Sequence, residues 1–190
     1  MICLIVEAVT GHYGVPGQVG QGGVKDSCPT APPPTIQGFI ESLCGESHQS
    51  FRGKFAYGRL HEPSGVGLML RQAHVWGSNK PMDNEIIRTI HVVTYLDPAY
   101  CILVEGPWEE KIRSALAGEV KRYGVLYLGE SEDLVHWIAE VPQPPGHVEW
   151  LVPGQTMTLP VKSGRGYDNI RLTTATFDFH AGEPHWMEAA

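Results

Sequence analysis

The stretch AYCILVEGPWEEKIRSALAGEVKRYG, residues 99–124, decides the fold class. Its first seven residues are almost continuously apolar and β-prone, the pattern of a strand buried on both faces. Gly106-Pro107 then breaks the run. Glu109 and Glu110 occupy a first helical turn, Lys121 and Arg122 a last one, and Gly124 closes it. Acids at the start and bases before a terminal glycine agree with the helix dipole and with helix-end chemistry. Trp108, Ile112, Ala115, Leu116, Val120 and Tyr123 fall on one apolar face. The spacing predicts a strand near 99–105 feeding a helix near 107–123, and so a chain that mixes α and β.

The same reading extends in both directions. Ile2 to Val9 is a second apolar, β-prone run, predicting a buried strand near 2–9. Ile36, Phe39, Ile40, Leu43 and Cys44 recur at helical spacing, predicting a helix near 35–44 with Thr35 as N-cap and Gly45 as its stop. Phe51 to Leu60, Gly65 to Trp76, Glu85 to Tyr95 and a short piece near 134–141 read as strands, with a turn at Gly77 to Pro81. The order is βαββαβ with an insertion between the halves. The expected architecture is an α+β, ferredoxin-like (RRM-like) core with an inserted β-hairpin. The expected organisation is an RRM-like domain over 1–141, the insertion at about 50–95, and a small irregular β-rich extension over 142–190. Within that extension Gln155 to Val161 and Ile170 to Phe179 are β-prone.

Composition narrows the class. The 190 residues carry a net charge of -7, and charged residues at 18% are too few for a coiled coil or a solvated disordered chain. No apolar run approaches the ~20 residues of a membrane span. Met1 to Glu7 lacks the basic lead of a signal peptide. Cys3, Cys28, Cys44 and Cys101 show no C-x-x-C spacing, which reads as reduced thiols in a cytoplasmic protein. Glycine and proline are concentrated between Gly11 and Pro34, a loop-like stretch of the kind that is functional or structureless.

Most catalytic chemistries fail on the residues. Gly17 to Gly23 lacks both the G-K-[ST] ending and the G-x-G-x-x-G frame of phosphate-binding loops. Gly129-Glu130-Ser131 lacks the second glycine of a nucleophile elbow. None of the nine histidines forms H-E-x-x-H, and His180 and His185 span Gly182 and Pro184, so no metal or other cofactor is expected. Glu109/Glu110 and Glu132/Asp133 suit helix-start and turn positions. Charge is more informative. Residues 50–90 hold Arg52, Lys54, Arg59, Arg71, Lys80 and Arg88 against Glu62, Asp83 and Glu85, in a protein that is acidic on either side. Cations interleaved with Phe51, Phe55, Tyr57 and Trp76 suit phosphate neutralisation and base stacking. The overall acidity suits one local RNA site within a larger assembly.

Two motifs then carry a resemblance. The segment from Pro32-Pro33-Pro34-Thr35-Ile36-Gln37-Gly38 to Gly45, and Tyr127-Leu128-Gly129-Glu130-Ser131-Glu132 about 90 residues later, resemble the signatures of the CRISPR-associated protein family five. Gln37 and Glu130 stand where members often carry a basic residue. The resemblance covers roughly residues 1–141. It implies a fold of the RAMP superfamily in which the insertion at about 50–95 is an extended thumb hairpin, and a non-catalytic, RNA-binding role in antiviral defense. Such a subunit holds the crRNA 5′ handle in a type I Cascade complex. It contacts the backbone subunit (family seven) and the large subunit, and meets target DNA only indirectly. The RNA-binding candidates are Tyr13, Lys25, Thr35, Gly38, Arg52, Lys54, Arg59, Arg71, Trp76 and Lys80. Tyr13 and the glycine-rich loop are expected to hold 5′-terminal nucleotides together with the helix start, whose free amides suit a phosphate. The alternative is a metal-independent endoribonuclease cutting pre-crRNA repeats, with Tyr57, His74 and His91 supplying acid and base.

Overall fold

A computed structural model describes residues 1–14, 24–47, 50–75, 86–122, 124–130, 133–165 and 170–188. The βαββαβ unit consists of β1 (Ile2–Ala8), α1 (Pro33–Leu43), β4 (Lys54–Arg59), β7 (Ala99–Glu105), α2 (Trp108–Leu116) and β8 (Val135–Val141). These strands lie in the order β8-β1-β7-β4, every neighbouring pair antiparallel. In unit order that is fourth, first, third, second, the ferredoxin-like arrangement the sequence predicts.

β1 is apolar on both faces because both are covered. Ile2, Leu4, Val6 and Ala8 pack with Ile36, Phe39, Ile40 and Leu43 of α1 and Trp108, Ile112 and Ala115 of α2. Cys3 and Ile5 face the other way, against Ala56, Cys101, Leu103, Val148 and Trp150. All four cysteines are free and buried.

Both helix ends differ from the sequence reading. α1 starts two residues early, with Pro32 as N-cap and Pro33 and Pro34 in the first turn. Proline's fixed φ suits that turn, where its missing N–H has no intrahelical partner to lose. Thr35 is therefore inside the helix, its N–H donating to Pro32 O at 2.9 Å. α2 stops at Leu116, well short of Gly124, because Gly118 takes the left-handed conformation (φ 79°). Gly118 N–H donates to Ala115 O and Glu119 N–H to Ser114 O, a Schellman end that satisfies the last carbonyls. Lys121 and Arg122 consequently lie beyond the helix.

The insertion is a hairpin of β5 (Gly65–Val75) and β6 (Ile86–Leu96), in register from Gly65↔Leu96 to Val75↔Ile86. On the other side of β6, β2 (Thr10–Gly11) pairs antiparallel and β3 (Val24–Lys25) parallel, so the hairpin's base is stitched to the loop after β1. The C-terminal part is more regular than its sequence reads. β9 (Glu149–Arg165) and β10 (Ile170–Ala181) form a long hairpin that joins the core sheet through Gly58↔Trp150 and Arg59↔Glu149. Register shifts absorb Pro153 and Pro160. Last, β11 (Met187–Glu188) pairs with Phe55 and Lys54 of β4.

Candidate nucleic-acid groove

A groove of about 650 Å³ runs beside α1. One wall is Pro34, Thr35, Gly38, Glu41, Ser42 and Gly45; Gly124, Val125, Tyr127 and Gly129 form the other. The two sequence motifs, some 90 residues apart, therefore meet across one cleft. Gly38 sits mid-helix, and a Cβ built there meets nothing within 4 Å. Helix-to-sheet packing gives no reason for this glycine, and its bare backbone faces open space in the groove. Opposite it, Val125 and Tyr127 are 68% and 43% exposed, apolar surface available to a flat ligand.

The groove's carboxylates are committed elsewhere. Glu41 is buried and accepts from Phe51 N–H and Gln37 Nε2, fastening the helix to the approach of β4. Glu46 pairs with Lys111 at 2.5 Å. Lys121 and Arg122 are exposed, and the Lys121 carbonyl lies beside Gly45, where a Cβ would meet it at 2.6 Å. Among the described residues neither side chain makes an ion pair. The sequence reading placed these two cations in the last turn of α2. The signal that relocates them to the groove's rim is Gly118, the earlier of two possible stops.

The turn carrying Tyr127 and Gly129 is held from behind. Asp133 is buried and accepts from Thr10 Oγ1, His12 N–H and Glu130 N–H at 2.9, 2.9 and 2.7 Å. Gly129 has a φ of 134°, and a Cβ there would lie 2.5 Å from Asp133 Oδ2. The entry to α1 is held by phenols. Tyr57 O–H donates to Ala31 O at 2.6 Å, and Tyr100 Oη accepts from Ala31 N–H at 3.1 Å.

Several predicted site residues serve elsewhere. Tyr13 is not available to stack on a base. It is buried, its hydroxyl accepts from Tyr100 O–H at 3.2 Å, its ring stacks on Tyr95, and burial pushes its phenol well above its ordinary pKa. Arg59 is tied to Glu149 and Glu62, with its guanidinium 4.3 Å from the Phe179 ring centre. Lys54 is exposed and 3.9 Å from Glu188. Both belong to β4 of the core sheet, as does the approach carrying Arg52, whose Nη1 donates to Phe51 O. Half of the cations expected on a basic thumb thus belong to an inner strand of the core sheet, β4 with its approach, paired with β7 on one side and with β9 and β11 on the other. Lys25 and Arg71 lie on β3 and β5 with side chains outside the described residues. Trp76, Lys80 and residues 15–23 of the glycine-rich loop lie outside them altogether.

The hairpin instead shows an apolar stripe. Val66, Leu68 and Leu70 are 65%, 63% and 61% exposed at alternate positions of β5, an edge strand. The nuclease candidates do not converge. Tyr57 is in the core, its phenol pushed far above its ordinary pKa by burial. His91 is opposite Leu70 and His74 opposite Ile87, four rungs and roughly 13 Å apart along the ribbon.

A ferredoxin-like domain with a stitched hairpin insertion and a groove between α1 and the 124–129 turn is the class these features define. No protein-family model matches the chain, and no curated protein matches it in sequence. Solved structures do match. A chain of a "CRISPR RNA-guided surveillance complex" superposes with a TM-score of 0.59 at 16% identity, covering 99% of this chain and 91% of that one. A crystal structure of a "Cas protein" gives 0.49 at 11% identity, covering 94% and 93%. The functionally uncharacterized protein SMU1763c from Streptococcus mutans gives 0.46 at 9%, covering 91% and 84%. The first match shows that the fold, C-terminal hairpin included, is that of a chain in an RNA-guided surveillance complex. No helix among the described residues is long and apolar enough to cross a membrane.

Proposed function

We propose that this chain is an RNA-binding subunit of a type I, Cascade-like CRISPR effector complex, holding the crRNA 5′ handle in the groove beside α1. The observation that carries the reading is the meeting of the two family-five-like motifs across one cleft, into which the bare Gly38 backbone of the first opens. Glycine lets a sugar-phosphate chain approach the helix closely. Tyr127 offers a stacking face, and Lys121 and Arg122 offer charge to phosphates. The hairpin's apolar stripe supports a contact with the neighbouring backbone subunit, a protein rather than RNA, since an exposed apolar edge strand favours a protein cover. The chain also contacts the large subunit, and target DNA is met only indirectly. No observation favours the endoribonuclease over this reading.

The test is fluorescence anisotropy with a labelled repeat-derived RNA. Gly38→Leu, which projects into open space, keeps the fold and weakens binding at least about tenfold by filling the groove. The pair Lys121→Glu and Arg122→Glu weakens binding and lowers its salt slope by about two. Unchanged affinity in both variants would place the RNA elsewhere.

A further inference from the structure

We propose that His12 is a positioning residue that latches the groove's turn to the base of the inserted hairpin, so that a change at one is felt at the other. His12 is completely buried. Its Nδ1 lies 2.8 Å from Val93 O on β6, and because a carbonyl only accepts, Nδ1 carries a hydrogen. Its Nε2 lies 3.2 Å from Glu130 Oε1, off hydrogen-bond alignment, and is the one buried side-chain polar atom among the described residues left without a hydrogen bond. Its main-chain N–H donates to Asp133. One residue thus touches the hairpin through its ring and the turn through both ring and backbone.

The geometry leaves little slack. Gly129 is wedged against Asp133 and against the His12 carbonyl, where a Cβ would sit at 2.9 Å. Val9 N–H donates to Leu134 O, and Val135 N–H to Leu126 O, fixing the turn's other end. Val93 is opposite Leu68, within the exposed apolar stripe. A partner seated on that stripe therefore bears on the strand that holds His12, and His12 bears on the turn that presents Tyr127. The coupling is reciprocal: a ligand in the groove steadies the hairpin by the same amount that a hairpin partner steadies the groove. Burial is what lets a single ring carry this, since a buried polar contact left unmade is costly.

The experiment is amide hydrogen exchange by NMR on the whole chain, comparing His12→Leu, His12→Asn and wild type. His12→Leu removes the polar link. His12→Asn keeps an N–H at the position of Nδ1. With Leu, exchange at Leu128 and Glu130 in the turn and at Met69 and Val92 in the hairpin speeds together by about tenfold, while Leu4 and Ile102 of the central strands stay protected. Asn restores both sets. Where His12→Leu fails to fold, Glu130→Ala serves in its place by removing the ring's contact with the turn, and turn and hairpin amides speed together. A labelled single-stranded RNA forms a second arm that rests on the groove reading; the exchange arm does not, so failure of RNA binding leaves the latch separately tested. Faster exchange in the turn with an unmoved hairpin, or equal behaviour of Asn and Leu, would overturn the latch.

Discussion

Gly38 costs α1 about 1 kcal/mol relative to alanine, and no packing contact requires it. Gly38→Ala should therefore raise the unfolding free energy by roughly 0.5–1 kcal/mol, read from denaturant melts. A loss of stability would mean that something hidden does fill the space. Tyr57 makes the opposite case. Its hydroxyl satisfies a buried carbonyl at the entry to α1, so Tyr57→Phe strands Ala31 O and should cost about 1–3 kcal/mol in the same assay. Neither role is legible from residue type alone. A tyrosine amid basic residues reads as a stacking or acid–base group equally well. Only the pairing of β4 inside the sheet turns Tyr57 inward, where its hydroxyl fastens the entry to α1. Gly38 is legible as an RNA-binding candidate through its motif; that its surroundings are empty is not.

Elements divide along similar lines. β1 and β7 were legible because continuous apolar runs leave few alternatives to a central strand, and their mutual pairing follows. α2 was read too long because Lys121, Arg122 and Gly124 make a plausible helix end, and Gly118 stops the helix first. The long C-terminal hairpin was read as irregular because Pro153 and Pro160 interrupt its alternation. The bulge after Pro153 is capped by Asp178, whose carboxylate accepts from Gln155 and Thr156 N–H groups at 3.2 and 2.8 Å. The Thr156 side chain and then these amides hold the Asp178 carboxyl below its ordinary pKa. A depressed folded value means the contribution is present above the unfolded value near ~3.9 and fades as pH falls through the folded value. Protection of the Gln155 and Thr156 amides, relative to their intrinsic exchange rates, should thus fall as pH drops below about 4, and Asp178→Ala should lower it at neutral pH. Equal protection at pH 5 and pH 2.5 would contradict the assignment.

Across the whole molecule, the charge pattern and the surface chemistry part company. The cations of residues 50–90 are divided between β4, inside the core sheet, and the hairpin segment, and Arg59 is tied to its own carboxylates. What the hairpin offers, on the described residues, is Val66, Leu68 and Leu70. Leu68→Glu should therefore weaken assembly with a protein partner in pull-down while leaving RNA affinity within about twofold, the reverse of Lys121→Glu with Arg122→Glu. Assembly insensitive to Leu68→Glu would remove the hairpin from the interface. The central claim, that the groove between α1 and the 124–129 turn holds the RNA end, is tested most directly by ultraviolet cross-linking of the assembled complex. The RNA carries a photoreactive base within its 5′ handle, and the cross-linked peptides are sequenced. The account predicts adducts in residues 33–45 and 124–130, with Tyr127 foremost, lost in Gly38→Leu. Adducts confined to the hairpin or the C-terminal strands, with the groove peptides clean, would contradict it.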